Sequence, residues 1–174
     1  MSNLISVTDQ GGRKTTVEYD EFNRPVKTIF PPAVAGGARL DQTITYDAVG
    51  NVTSRTDQAG RVTTLEYDAA NHLVKVTDPA LEITQYEYDA RSNMTAAVDA
   101  INQRYTFVYD ALSRVTTAMR AGLQISFAYD AVGNRTERTD YHNMTTSYTY
   151  DALNRLTKIT YPDASIVNYG YDKL

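Results

Sequence analysis

The chain has 174 residues, a formal net charge of −4, no cysteine, no tryptophan and fourteen tyrosines. The missing cysteines exclude disulfides, thiolate metal sites and thiol nucleophiles. Lys and Arg are scattered along the chain, so there is no basic stripe of the kind that nucleic acid or anionic lipid would require.

Abundant Thr, Val and Tyr with only nine Gly and five Pro mark an ordered all-β chain, since disorder demands fewer aromatic and β-branched residues. At the start, Met1 to Asp9 offers neither a basic n-region nor an apolar h-region, and no stretch reaches the length of a membrane span. A dipeptide repeat then dominates: Tyr19-Asp20, Tyr46-Asp47, Tyr67-Asp68, Tyr88-Asp89, Tyr109-Asp110, Tyr129-Asp130, Tyr150-Asp151 and Tyr171-Asp172. Successive spacings are 27, 21, 21, 21, 20, 21 and 21 residues. The long interval holds Pro31 to Gly37, an expected enlarged loop. The short one lacks a residue around Arg120-Ala121-Gly122.

Ahead of each Tyr the chain alternates. Two positions before stand Val17, Ile44, Leu65, Tyr86, Phe107, Phe127, Tyr148 and Tyr169; three before stand Thr16, Thr43, Thr64, Gln85, Thr106, Ser126, Ser147 and Asn168. This period of two predicts a strand with one apolar and one wetter face, the Tyr lying on the apolar side. Four residues after each complete-repeat Tyr comes Asn23, Gly50, Asn71, Ser92, Ser113, Gly133 or Asn154. Asn and Gly tolerate positive φ and Asp accepts backbone N–H bonds two residues on, so Tyr ends a strand and Asp opens a hairpin turn.

Return strands follow, such as Leu73–Thr77 and Leu156–Thr160, with Arg135 at an otherwise mostly apolar position; a bulge or partial exposure is expected there. Second turns begin at Asp57, Asp78, Asp99 and Asp140. The whole reads as tandem β-hairpin repeats of about 21 residues, forming one long, curved antiparallel sheet of some sixteen strands, a single array over 1–174 with its last repeat truncated after Tyr171-Asp172. A sheet this long needs a partner surface and has exposed edges that invite further repeats or self-association.

Candidate chemistry is sparse. The Asp residues are too far apart for a calcium roll and each is explained by turn capping. His72 and His142 lie in turns without companion ligands and read as solvated. Glu66 and Glu87 read as solvated strand positions, and no Gly-x-Ser-x-Gly elbow occurs. The expectation is therefore a non-enzyme with no catalytic, metal or cofactor site. Its significant positions are the sixteen Tyr and Asp residues above, with neighbouring Tyr rings packing on one another.

The pattern of aromatic strand, Tyr-Asp, small-residue turn, often Arg, and return strand resembles the YD-repeat or Rhs-repeat family. Gly60-Arg61-Val62-Thr63-Thr64-Leu65-Glu66-Tyr67-Asp68 and Tyr150-Asp151-Ala152-Leu153-Asn154-Arg155-Leu156 carry the likeness best. The family includes bacterial Rhs polymorphic toxins, B and C components of insecticidal toxin complexes, and teneurins. The resemblance implies a spiral β-shell, enclosing a C-terminal toxin in bacterial members, and a secreted or cell-surface setting. Such shells use many more than eight repeats, so this chain would supply a segment of wall. It lacks the family's Asp-Pro core-boundary motif, Asp78-Pro79 being a turn, so neither a cargo nor self-cleaving aspartates are assigned. The alternative is a carbohydrate-binding or adhesion module, its Tyr row exposed to sugar rings. Burial of those tyrosines discriminates, and packing is the favoured expectation.

Overall fold

A computed structural model describes residues 3–32 and 40–172. The stretch expected as an enlarged loop, 31–37, falls largely outside these described residues. Every regular element among them is a strand, and hydrogen-bond order follows chain order from the first strand to the sixteenth without a crossover. Apart from the longer link between Ile29 and Asp41, two to five residues join successive strands and return the chain only to an adjacent antiparallel position.

The chain divides into two compact units, 1–85 and 86–174. The first holds β1 (Ser6–Thr8), β2 (Lys14–Tyr19), β3 (Pro25–Ile29), β4 (Asp41–Tyr46), β5 (Val52–Thr56), β6 (Val62–Tyr67) and β7 (Leu73–Thr77). The division falls within β8 (Ile83–Tyr88). The second unit holds β9 (Met94–Val98), β10 (Arg104–Tyr109), β11 (Val115–Arg120), β12 (Leu123–Tyr129), β13 (Arg135–Thr139), β14 (Thr145–Tyr150), β15 (Leu156–Thr160) and β16 (Ile166–Asn168).

The expected alternation is clearest in β6, where Thr63, Leu65 and Tyr67 are half-buried and Thr64 and Glu66 exposed. Cross-strand pairing extends both faces. Leu65 stands opposite Val76, while Glu66 stands opposite Lys75 and ion-pairs with it at 2.8 Å. Because successive side chains point to opposite faces, in this pair one face carries Leu65, Tyr67 and Val76 and the other Glu66 and Lys75.

The bulge expected in the return strand is real and periodic. Glu18 pairs with Lys27 but Tyr19 with Pro25, so Val26 is extra. The same slip sits beside Tyr46, Tyr67, Tyr109, Tyr129 and Tyr150. At the short interval the deleted residue leaves a two-residue loop, Ala121 (φ 50°) and Gly122 (φ 81°), and β11 and β12 pair right up to it through Arg120 and Leu123. Two successive positive φ values suit the right-handed twist of flanking strands.

Among the described residues Ala96 is the only fully buried side chain, at 1% exposure. This is not a layered fold with an apolar centre. Burial is spread thinly along the sheet, and cohesion depends on the polar contacts between hairpins.

Candidate functional site

The recurrent site is built from the Tyr-Asp turn. In all seven complete turns the Asp carboxylate accepts backbone N–H bonds from residues two and four places on, and Asp47 takes a third from Gly50. For Asp20 these are Phe22 and Arg24 at 2.9 Å each, and Asp151 bonds Leu153 and Arg155 likewise. The backbone closes the loop, with Asn23 N–H donating to Asp20 C=O and Asp20 N–H to Arg24 C=O, both at 3.0 Å. The residue at the predicted left-handed position has φ between 59° and 66° in Asn23, Asn71, Ser92, Ser113 and Asn154, and above 100° in Gly50 and Gly133. That is a turn followed by one left-handed residue, the geometry of a three-residue hairpin loop.

A further column escapes notice in the sequence until the Asp is seen in place. The residue four after each Asp turns its side chain back onto the second carboxylate oxygen. In Arg24, Arg114 and Arg155 the Nε donates at 2.7 Å; in Asn51, Asn93 and Asn134 the amide nitrogen donates at 2.9 Å. His72 fills the same place, Nδ1 lying 2.9 Å from Asp68, with only 19% of its side chain exposed. It is therefore part of the cap and not the solvated turn residue expected. His142 is exposed and tilted against Tyr141, ring centroids 4.1 Å apart.

These capping side chains reach onward to the next hairpin. Arg24 lies over the Tyr46 ring, 4.5 Å from its centroid, and bonds the Asp47 carbonyl. Arg114 does the same to Tyr129, at 4.7 Å, and to the Asp130 carbonyl. Arg155 lies 4.4 Å from the Tyr171 ring. For these tyrosines the partner is a guanidinium, correcting the expected ring-on-ring packing: the capping position of one hairpin puts a cation where the neighbouring ring would have been, and ring quadrupole and fork geometry favour Arg. The amides of Asn51 and Asn134 instead bridge to the next turn's Asn, Asn71 and Asn154, at 2.9 Å.

The Tyr hydroxyl completes the link. Tyr46, Tyr109, Tyr129, Tyr150 and Tyr171 donate to the carbonyls of Pro25, Met94, Val115, Arg135 and Leu156 at 2.8–3.0 Å. Each acceptor is the first residue of the preceding return strand, beside the bulge that disrupts the ladder there. Phe would fill the same space and leave that carbonyl without its donor. Burial, then the Asp89 charge, raises the Tyr109 phenol above its ordinary value, so it remains a donor. Seven of the eight tyrosines are half-buried and Tyr171 is exposed.

Two charged residues are also placed by tertiary structure. Arg135 lays its guanidinium between the rings of Tyr148 and Phe127, 4.8 and 5.9 Å from their centroids, which explains a charge in an apolar column. Glu87 of β8 and Arg104 of β10 form a two-pronged ion pair at 2.7 and 2.6 Å. Strand β9 lies between them in the sheet, and Ala96 sits there, opposite Thr106 and so on the face of Arg104. Its small side chain lets the bridge pass. Glu87 and Glu66 are exposed as expected but paired.

The carboxylates are held as anions. Asp151 is kept below its ordinary value of 3.8 by the backbone N–H of Arg155 and then its guanidinium, against partial burial. For Asp20, Asp47 and Asp130 burial is the largest influence and works upward, yet the donated hydrogen bonds outweigh it. Such groups accept hydrogen bonds and cannot serve as general acids near neutrality. Among the described residues no three His, Asp or Glu converge as a metal site.

A model of the teneurin YD-shell family matches residues 1–174. The chain belongs to the teneurin YD-shell family. This YD-shell segment is also similar to solved toxin-complex structures. Against TcdB2-TccC3-TEV the TM-score is 0.76 at 16% identity, covering 97% of this chain and 10% of that one. Against TcdB2-TccC3-Cdc42 it is 0.68 at 18%, covering 86% and 9%. Against the Photorhabdus luminescens Tc holotoxin pore it is 0.52 at 14%, covering 90% and 12%. The YD-shell segment thus spans about a tenth of the length of these structures, and at such identity the likeness is one of fold. No curated protein matches it in sequence. No helix among its described residues is long and apolar enough to cross a membrane.

Proposed function

We propose that this YD-shell segment is wall: one continuous repeat array over 1–174 that curves with further repeats into a hollow cage around a C-terminal toxin in a longer, exported parent protein. The observation that carries this reading is the hairpin-to-hairpin relay. Arg24, Asn51, Arg114, Asn134 and Arg155 each cap their own turn and hand a guanidinium or amide to the next, while the hydroxyls of Tyr46, Tyr129, Tyr150 and Tyr171 bond back to the hairpin before, so these units gain their full complement of bonds only as members of a series. The sixteen Tyr and Asp positions are then structural, and further repeats would join at the sheet edges.

The tyrosines support wall over sugar binding, since the rings of Tyr46, Tyr129 and Tyr171 lie under Arg and the hydroxyls of Tyr19, Tyr46, Tyr109, Tyr129, Tyr150 and Tyr171 are committed to backbone carbonyls. The test is protease protection in the full-length parent. The region following these repeats should resist digestion in the intact protein and become sensitive when residues 1–174 are deleted. Equal sensitivity in both would end the cage reading, and saturable, competable binding on a glycan array would favour the adhesion module.

A further inference from the structure

Among the repeat tyrosines of the first unit, Tyr67 stands apart. The hydroxyls of Tyr19 and Tyr46 donate to the Leu4 and Pro25 carbonyls at 3.0 Å each, whereas among the described residues the Tyr67 hydroxyl has no partner. The Tyr46 ring lies under Arg24; no guanidinium of the described residues lies over Tyr67.

The cause is a shorter cap. Asn51 holds the place of Arg24 and Arg114, four residues after the turn Asp. Its amide reaches the Asp47 carboxylate and the Asn71 side chain, and stops short of the next ring. What remains between the two turns is a cavity of about 580 Å³, within the roughly 300–1,000 Å³ range of small-ligand sites. Its charged lining residues, Asp47, Glu66 and Asp68, are all acidic. Glu66 is already paired with Lys75, but the Asp47 carboxylate is hydrogen-bonded by neutral donors alone, where Asp20 and Asp110 each hold a guanidinium.

The chain itself shows what fits such a gap. Arg24 and Arg114 lie 4.5 and 4.7 Å from the Tyr46 and Tyr129 ring centroids and donate to the Asp47 and Asp130 carbonyls. Tyr67 and the Asp68 carbonyl repeat that pair of acceptors, and the carbonyl takes only the Asn71 N–H of its own turn.

We propose that the gap between the Asp47 and Asp68 turns binds an arginine guanidinium from outside the chain, stacked on Tyr67 and donating to the Asp68 carbonyl. The aliphatic stem lies along Val49 and Ala69, which also line the gap. A guanidinium is favoured over an ammonium because its planar fork stacks and donates at once. Further repeats joined at the sheet edges leave the gap open, since both flanking hairpins already belong to this chain, and the site does not depend on the wall reading.

The test is a titration of the full chain, carrying isotope-labelled tyrosine rings, with Nα-acetyl-L-arginine methylamide under nuclear magnetic resonance. Tyr67→Phe identifies the Tyr67 signal. That signal should shift saturably while those of Tyr46 and Tyr129, whose gaps are filled, stay in place. The lysine analogue of the probe should bind several-fold more weakly, and Asn51→Arg, which builds the chain's own guanidinium into the gap, should abolish the shift. Free L-arginine in a parallel titration separates the two sources: tighter binding than the blocked probe assigns the free amino acid, weaker binding a peptide side chain. No saturable shift at Tyr67 overturns the proposal, as do equal shifts at Tyr46 and Tyr129, equal binding of the lysine probe, or undiminished binding in a folded Asn51→Arg. If that variant loses its β-sheet circular dichroism spectrum, Tyr67→Leu followed by calorimetry takes its place, and undiminished binding there is equally fatal.

Discussion

Arg114 leaves its own turn to lie 4.7 Å from the ring centroid of Tyr129 on the next hairpin, while its Nε holds Asp110 at 2.7 Å. One side chain therefore belongs to two repeats. Replacing it with Lys keeps the charge but loses the planar fork that caps and stacks at once. Arg114→Lys should cost about 1 kcal/mol, the worth of the cation–π contact. Urea unfolding measures it, and a variant as stable as wild type would show the contact to be incidental.

The Tyr129 hydroxyl, donating to the Val115 carbonyl at 2.9 Å, gives a separate handle. Tyr129→Phe retains the ring and removes only the bond, so a loss of about 1 kcal/mol is expected. Hydrogen exchange should rise locally around β11, where the bulge carbonyl loses its donor.

Leu81 occupies a left-handed position, φ 65°, at 80% exposure, where the equivalent turns use Gly60, Asn102 and Asn143. A Leu there bears a steric penalty that Asn or Gly largely avoids. Leu81→Asn should stabilise the chain by about 1 kcal/mol, seen as a higher Tm.

The capped carboxylates make stability depend on acid. Their folded pKa values lie below the ordinary 3.8, so the unfolded chain binds protons first. The stabilisation is full above that value and is lost as pH falls through the lower, folded values. Melting temperature should therefore be flat at neutrality and drop below about pH 4. Asp151→Asn should flatten part of that drop, and an unchanged acid profile would count against the caps.

Calcium should leave the Tm unchanged. The carboxylate of each complete Tyr-Asp turn already accepts at least two N–H bonds and a side-chain donor, as at Asp151, and the described residues gather no cluster of ligands. A rise of several degrees on titration would overturn this.

The sequence by itself determined the strands, the turns and the left-handed positions of the Tyr-Asp turns, because these follow from contacts within a few residues: alternation around Leu65 and Tyr67, the Asp20 carboxylate on Phe22, and positive φ at Asn71 or Gly133. It also located the irregular return strand, though not that the extra residue recurs beside the Tyr. Only tertiary structure decided what each element touches next. Arg114 meets Tyr129, Tyr150 meets the Arg135 carbonyl, and Glu87 meets Arg104 past Ala96. Those partners lie 15 to 17 residues away, and their meeting depends on sheet register and on which face each side chain takes. The same dependence explains why Arg135 looked misplaced: a charged side chain is read from its neighbours in sequence as facing water, whereas here the adjoining hairpins supply a pair of rings. His72 differs, because its partner Asp68 is only four residues away and what escaped notice was the local cap.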